Sequence, residues 1–376
     1  MHGFSLVELM IALLIGIIIS IGVVQIFGAT RSAYQLDEGL ARAQENGRFA
    51  LEFLSQDIRH AGYLGCNRDT TRIPVNFLAN PATPSLSIRG IDGFEFIGSG
   101  VNATYNTTPA PTNTLTGWAP AITSATVVPA PGALPGSDVI AVQRMVPNTW
   151  ALVPPYIDLD NVYLNPVFAD KVNVNDVLLV ADCKQAAAFM VTGITPAGVI
   201  SHTAGGGTNR CGNWGGGLNP ANPANAQCPG PMFDTPVSGT VIGTIETIVF
   251  YVANDPTSGT FRPTLYKNVI SPTGANTTQA LVEGVENFQV LYGVDNVTPD
   301  GIADQYVPAS DVVNFAQVVS VQIGILVYGV NATGTATDDA IDTDVQIIAG
   351  TNIVPPPDRR KRRAFNTTIQ LRNRGF

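Results

Sequence analysis

Charged side chains are scarce in this chain of 376 residues, since Asp, Glu, Lys and Arg make up only 13% of it. Histidine is rarer still, with His2, His60 and His202 as its three occurrences. The sequence contains no Gly-x-Ser-x-Gly, no phosphate-binding glycine loop and no His-Glu-x-x-His motif. The common signatures of hydrolases, nucleotide-binding enzymes and zinc proteases are therefore missing. We expect a protein that is not an enzyme and needs no cofactor.

Basic residues are absent before Arg31, and proline is absent before Pro74. What remains at the start is a nearly uninterrupted apolar run, Phe4–Ala29, which as a helix would be about 39 Å long at ~1.5 Å per residue. That length is enough to cross a membrane. An ordinary signal anchor and a secretory signal cut near Ala29 are alternatives, but the usual cationic segment is missing.

Glu8 is the acidic exception inside this apolar run. A charge at the centre of a bilayer costs roughly 2.5–3.5 kcal/mol, and neither alternative explains why it is there. Gly3, Phe4, Ser5 and Glu8, followed by the uncharged stretch Leu9–Gly22, resemble the class III signal of type IV prepilins, pilin-like minor subunits and type II secretion pseudopilins.

The resemblance implies that a prepilin peptidase cuts between Gly3 and Phe4 and that Phe4 becomes the methylated amino terminus. This cationic amine would pair with Glu8 of a neighbouring subunit, because two charges that are costly alone in a low dielectric stabilise each other. The pair would also set the register between stacked helices. The leader Met1–Gly3 lacks the usual Lys or Arg, so the orientation rests on the resemblance. The resemblance implies a single pass through the bacterial inner membrane and a periplasmic body.

From Arg31 to His60 the sequence is amphipathic, with small or apolar residues at steps of three and four, which predicts one face of a helix. These residues are Ala33, Leu36, Leu40, Ala43, Gly47, Ala50, Leu51, Leu54 and Ile58, whereas Arg42, Glu45, Arg48, Glu52 and Asp57 fall on other faces. Joined to the apolar run, this segment predicts a rod over residues 4–60, about 85 Å long and ended by Gly62.

The rest of the chain is rich in Gly (37) and Pro (27), which favours a loop-rich β body over a helical one. We predict an α+β fold in which a long N-terminal helix packs on a mainly antiparallel body. The parts are a leader (1–3), a membrane half of the helix (4–29), an amphipathic half (30–62) and the body (63–376), which a boundary near residue 235 would divide in two.

Eight segments of the body are predicted as strands. They are Ser137–Met145, Asp176–Ala181, Ala188–Thr192, Thr240–Val252, Phe261–Asn268, Val285–Tyr292, Val312–Val327 and Arg363–Arg372. The turn-rich segment 254–259 predicts a hairpin between the fourth and fifth of them. Two tracts, Gly98–Gly136 and His202–Met232, are predicted as surface insertions.

Several segments narrow the resemblance to PilW-type minor pilins. They are 38–50, 62–66, 182–185, 283–293 and 363–373. This likeness implies a role in starting or capping type IV pili. It implies as partners other minor pilins, the major pilin, the prepilin peptidase and methylase, the inner-membrane assembly platform and a tip adhesin. A type II secretion pseudopilin shares the same first thirty residues and stays an alternative, as does a membrane-tethered binding module.

Four cysteines, Cys66, Cys183, Cys211 and Cys228, follow the apolar segment. An oxidising periplasm would make two disulfides the default, with three connectivities open. We favour Cys211–Cys228, which closes a Gly- and Pro-rich loop, and Cys66–Cys183. A zinc site is the competing interpretation, but no Cys-x-x-Cys spacing supports it.

The stretch Asp295–Asp304 has oxygen-bearing side chains at alternating positions, as calcium loops do. The candidate ligands are Asn296, Thr298, Asp300 and Asp304, with Gly301 at the bend. Two of the four are neutral, and no acidic residue stands at position 307. A plain hairpin rich in Asx residues is the favoured interpretation.

Charge is unevenly distributed along the chain, whose net charge is −9. Residues 61–357 carry nine basic and 22 acidic residues, and residues 358–376 carry seven basic and one acidic. The acidic middle argues against a generic nucleic-acid binder, and direct contact with DNA has only the run Arg359–Arg363 in its favour. That run predicts either a contact with an acidic neighbouring subunit or a solvated cluster before the last strand.

Overall fold

The computed structural model describes residues 6–65, 90–108, 110–122, 127–130, 132–146, 150, 152–157, 161–181, 186–203, 240–255, 261–270, 276–329, 343–358 and 360–374. Helix α1 runs without a break over Leu6–Arg59, 54 residues or about 81 Å. It contains no proline, and Gly62 with φ +69° turns the chain away after it. The predicted rod is confirmed.

The body is built mainly of antiparallel strands, as predicted. The largest sheet is called here the large sheet. Its strands follow the order β13 (Asn276–Glu283), β12 (Pro263–Ile270), β11 (Val241–Asn254), β4 (Val139–Met145), β1 (Ile91–Phe96), β3 (Trp118–Ala119). Two further strands extend this sheet, since β7 (Val177–Ala181) pairs with β11 and β8 (Ala186–Met190) pairs with β7. The C-terminal sheet has the order β15 (Gln305–Val307), β14 (Val285–Val294), β16 (Val318–Tyr328), β19 (Arg362–Gln370).

Two smaller sheets complete the described body. One has the order β5 (Leu152–Ile157), β6 (Asn161–Leu164), β10 (Val199–Ser201), β9 (Gly193–Ile194), and the other β17 (Gln346–Ile348), β18 (Thr351–Val354), β2 (Thr104–Asn106). The pairing of β18 with β2 is parallel. Since β11 pairs with both β4 and β7, strands from either side of residue 235 share one sheet. The boundary near residue 235 falls outside the described residues and stays a prediction.

The main core lies between α1 and the two larger sheets. Ala43, Ala50, Leu54 and Ile58 of the helix are fully buried, and they belong to one apolar cluster with residues of β4, β11, β14, β16 and β19. Burying such a stripe stabilises the fold by roughly 25 cal/mol per Å² of apolar surface removed from water. The docked face does not extend to Ala33, which is exposed, and Gly39 is the first buried position among the described ones. The docked face is therefore shorter than the predicted stripe.

Two predicted features of the body are wrong. The tract Gly98–Gly136 is not a simple surface insertion, because Trp118, Val128 and Leu134 within it are buried and Trp118 donates a hydrogen bond to Ser137 O at 2.9 Å. The apolar residues of this tract are scattered without periodicity, so the sequence does not predict that some of them are buried. The strand predicted from Val312 begins at Val318, after two short 3-10 helices, Ala309–Asp311 and Phe315–Gln317.

Candidate assembly interface

The apolar half of α1 projects away from the body. Leu6–Arg31 is the one segment of the described residues that is long and apolar enough to cross a membrane, and its most apolar stretch has no residue buried against the rest of the chain. Glu8 lies in the first turn of the helix and is exposed. The helix dipole favours a negative charge there. Gly3 and Phe4, where processing is predicted, lie outside the part of the chain that the structure describes.

The hydroxyl groups of this apolar half are satisfied by the helix itself. Ser20 Oγ donates to Gly16 O at 2.7 Å, and Thr30 Oγ1 donates to Ile26 O at 2.8 Å. A membrane offers no water to such groups, so an internal partner lowers the cost of placing them there. The segment can therefore contact lipid or another helix through a surface that is effectively apolar.

The glycines of the two halves of α1 have different surroundings. A Cβ added at Gly16, Gly22 or Gly28 would meet nothing within 4 Å, whereas one added at Gly47 would overlap the ring of Phe365 on β19. Gly47 is thus required by packing inside this chain. The three glycines of the apolar half instead leave shallow gaps on an exposed helix, which a closely packed second helix could fill.

An ion-pair group fixes the other end of α1 to the large sheet. Asp57 Oδ2 accepts a hydrogen bond from Lys267 Nζ at 2.6 Å, and Asp57 Oδ1 lies 3.0 Å from Arg144 Nη1. Arg144 Nε also donates to Glu246 Oε1 at 2.7 Å. The Asp57 side chain is only 9% exposed. The expectation that Asp57 lies on a face away from the core is wrong, since the helix carries this carboxylate into the body and the sheet supplies its counter-charges.

The candidate calcium residues lie in one loop, between β14 and β15, but their carboxylates face backbone N–H groups. Asp304 Oδ2 accepts from Asn296 N at 2.9 Å and Val297 N at 2.8 Å, and these bonds lower the pKa of Asp304. Asp300 Oδ1 accepts from Ile302 N at 2.9 Å. Within the described ranges, no three His, Cys, Asp or Glu side chains are grouped to hold a metal. The loop has the Asx side-chain to backbone hydrogen bonds of the favoured hairpin interpretation, and calcium binding stays the weaker, untested alternative.

The basic run before the last strand divides into residues with different roles. Arg362 is buried, and its guanidinium lies 2.5 Å from Glu286 Oε2 and 2.8 Å from Asp358 Oδ1. Arg360 stacks on the ring of Tyr328, 4.7 Å from the centroid, while Arg363 is exposed. The prediction of one solvated or subunit-binding cluster is therefore wrong for Arg362. Asp358 is four positions from Arg362, but Glu286 is 76 positions away and cannot be recognised as a partner from the run itself.

All four cysteines, Cys66, Cys183, Cys211 and Cys228, lie outside the described residues. The predicted disulfides Cys66–Cys183 and Cys211–Cys228 therefore stay predictions. Most of the second predicted insertion, 204–232, lies in the same undescribed region.

The C-terminal third of the chain is similar to a known protein family. Residues 249–373 match the family model PilW, described as type IV pilus-assembly protein W. These residues include the C-terminal sheet and the strands β12 and β13. Within this region, α1 packs on β13, β16 and β19. The match confirms the predicted resemblance and supports a role in type IV pili.

No curated protein sequence matches the chain. Among solved structures, a type IV-like pilin from Thermus thermophilus matches 54% of this chain and 87% of its own length, at 12% sequence identity and a TM-score of 0.22.

Proposed function

We propose that this protein is a minor pilin of the PilW type that takes part in starting type IV pilus assembly, in a priming or tip complex. The observation that carries the proposal is the combination of the PilW match over residues 249–373 with a helix whose apolar half is left exposed. A protein that worked alone in the periplasm would have no use for an apolar helix surface that extends beyond its own core.

The proposed mechanism is packing between subunits, with no chemical turnover. Processing between Gly3 and Phe4 would leave a methylated amine at the start of the helix, a few residues from Glu8. Glu8 would then accept this amine from a neighbouring subunit and fix the axial register. Gly16, Gly22 and Gly28 would allow close approach of the second helix.

The proposed location is the bacterial inner membrane, with the β body in the periplasm and the mature protein incorporated in the pilus. Other minor pilins and the major pilin are the proposed helix partners. The prepilin peptidase and methylase would act on the amino terminus, and the assembly platform would receive the processed chain. A tip adhesin would contact the body, and no direct contact with nucleic acid is proposed.

Mass spectrometry of protein purified from its native host tests the processing step. We expect the mature chain to begin at Phe4 and to carry one added methyl group. An intact Gly3–Phe4 bond would overturn the proposal and favour a membrane-tethered binding module.

The choice between pilus and secretion system needs a second experiment. Sheared pili should contain the protein, and deletion of its gene should reduce surface pili while leaving type II secretion unchanged. Loss of secretion with normal piliation would identify a pseudopilin instead.

A further inference from the structure

Asp138 joins the large sheet to the C-terminal sheet at a contact that we call the seam. Its backbone N–H donates to Phe288 O on β14 at 2.7 Å. Its carboxylate accepts from the N–H of Phe96 on β1 at 3.0 Å and from the N–H of Val290 on β14 at 2.8 Å. Asp138 is 2% exposed. One buried side chain therefore bridges two sheets, through β1 and β14.

Glu95 lies beside Asp138 in the same buried seam. Its Oε1 accepts from Ser99 Oγ at 3.2 Å, whereas Oε2 is buried and has no hydrogen-bond partner. Glu95 and Asp138 are the positions next to the pair Phe94–Val139 in the register of β1 on β4, so their carboxyl groups lie side by side and can share a hydrogen bond. Such a bond needs a proton, because two carboxylates are both acceptors. Both oxygens of Asp138 already accept N–H groups, so the proton belongs on Glu95.

The surroundings of the pair offer no positive charge to replace this proton. Within the described part of the chain, neither Glu95 nor Asp138 forms an ion pair with Lys or Arg. The titratable groups that face the pair from neighbouring elements are Tyr292 on β14 and Asp311 in the 3-10 helix Ala309–Asp311, and Tyr105 of β2 packs on Phe96. All of them are acidic or neutral, so they favour the protonated form.

We propose that Glu95 and Asp138 form a proton-dependent latch across the seam. With the proton in place, Glu95 donates to Asp138 and the two sheets are held together. Without it, two negative charges share one buried site and repel each other, so the seam loosens and the amides of Phe96 and Val290 become more accessible.

The direction of the pH dependence follows from the two ionisations. Burial raises the pKa of Glu95 from its ordinary 4.5 to about 7. Burial, followed by the charge of Glu95, raises the pKa of Asp138 as well. A carboxyl group with a raised pKa contributes stability that is fully present below the unfolded-state value and is lost as the pH rises through the folded-state value. The latch is therefore closed in mild acid and opens above neutral pH.

A bound cation is the competing explanation for two adjacent buried carboxyl groups. Cation ligands need oxygens with free lone pairs that converge on one point. Here both oxygens of Asp138 point at backbone N–H groups, whose positive ends would repel a metal. A shared proton fits this arrangement better than a cation does.

The test compares the full-length protein in detergent micelles with the variant Glu95→Gln, which places a permanent donor against Asp138. Trp118, whose ring lies 5.3 Å from that of Phe96, reports on the seam by fluorescence during urea unfolding. For the native chain, a rise in the pKa of Glu95 from 4.5 to about 7 predicts, from this group alone, an unfolding constant about 30-fold larger at pH 8.5 than at pH 5.5. Glu95→Gln should remove that part of the pH dependence. The control Asp170→Asn, at an exposed pair with Lys171, should retain it.

Hydrogen exchange of the native chain keeps the proposal testable if Glu95→Gln fails to fold. The amides of Phe96 and Val290, corrected for intrinsic rates, should lose protection between pH 6 and pH 8.5, while amides in the middle of α1 should not. Equal pH dependence in the native chain and in Glu95→Gln would overturn the latch. So would stabilisation at pH 8.5 by millimolar Ca²⁺ that Glu95→Gln abolishes, since it would identify a cation site.

Discussion

Lys267 Nζ lies 2.6 Å from Asp57 Oδ2, although the two residues are 210 positions apart in the chain. The contact connects the last turns of α1 to β12 of the large sheet, and Arg144 on β4 approaches the other oxygen of the same carboxylate. The helix is therefore held at its end by charge as well as by apolar packing. Substitutions in this group should reveal how strongly the helix depends on it.

Replacing Asp57 by Ala should destabilise the body by about 2–4 kcal/mol, because Lys267 and Arg144 would stay partly buried without their shared counter-charge. Urea unfolding in detergent measures the change. Glu38→Ala provides the matched control, since its pair with Arg42 on the same helix is about half exposed and worth less than about 1 kcal/mol. Equal effects of the two substitutions would show that Asp57 contributes no more than a surface pair.

Gly47→Ala should destabilise the protein by about 1–3 kcal/mol, because the added methyl group overlaps the Phe365 ring. Gly28→Ala, where space is open, should be neutral or slightly stabilising in the same unfolding assay. A second substitution, Phe365→Leu, should reduce the cost of Gly47→Ala if the overlap is its cause. Additive effects of the two changes would contradict that explanation.

Arg362→Met should cost about 3–5 kcal/mol, because it leaves Glu286 buried without its partner. Arg363→Met changes the neighbouring residue, whose exposed side chain should contribute within about 0.5 kcal/mol. Thermal and urea unfolding of both variants separate the two cases. Similar losses for the neighbours would mean that the run acts as a single cluster after all.

Glu8→Val should impair incorporation into pili while the body stays folded, if the register pair of the proposed function is correct. Electron microscopy would count surface pili, immunoblots of sheared fractions would measure incorporation, and limited proteolysis would confirm the fold. Glu38→Val controls for the loss of an exposed acidic residue outside the apolar half. Normal piliation and incorporation with Glu8→Val would contradict the role of Glu8.

Much of the fold follows from local periodicity. The steps of three and four over residues 31–60 predicted α1, and apolar segments between turns predicted strands such as β4, β11 and β14 close to their observed bounds. These signals are carried by neighbours in sequence, so one chain is enough to detect them. The strand β1 was not predicted, because its six residues include Asp92, Gly93 and Glu95 and do not alternate.

The contacts that hold the parts together could not be predicted in the same way. Asp57 contacts Lys267, and Glu95 lies beside Asp138, only because the sheets bring distant segments of the chain together. The sequence alone does not show whether the side chain of a charged residue is solvated or forms a buried contact. The pairing of the polar groups in the seam and at the helix end could therefore not be predicted before the topology was known.

The unbroken course of α1 also has a mechanical consequence. From Gly47 against Phe365 to Arg59 O, which accepts from Arg372 N at 3.3 Å, the helix runs alongside β19 in the same direction. A pull on its free apolar end acts along this docked length as shear. The contacts between residues 39 and 59 then bear the load together, whereas a hinge would let them peel away one after another.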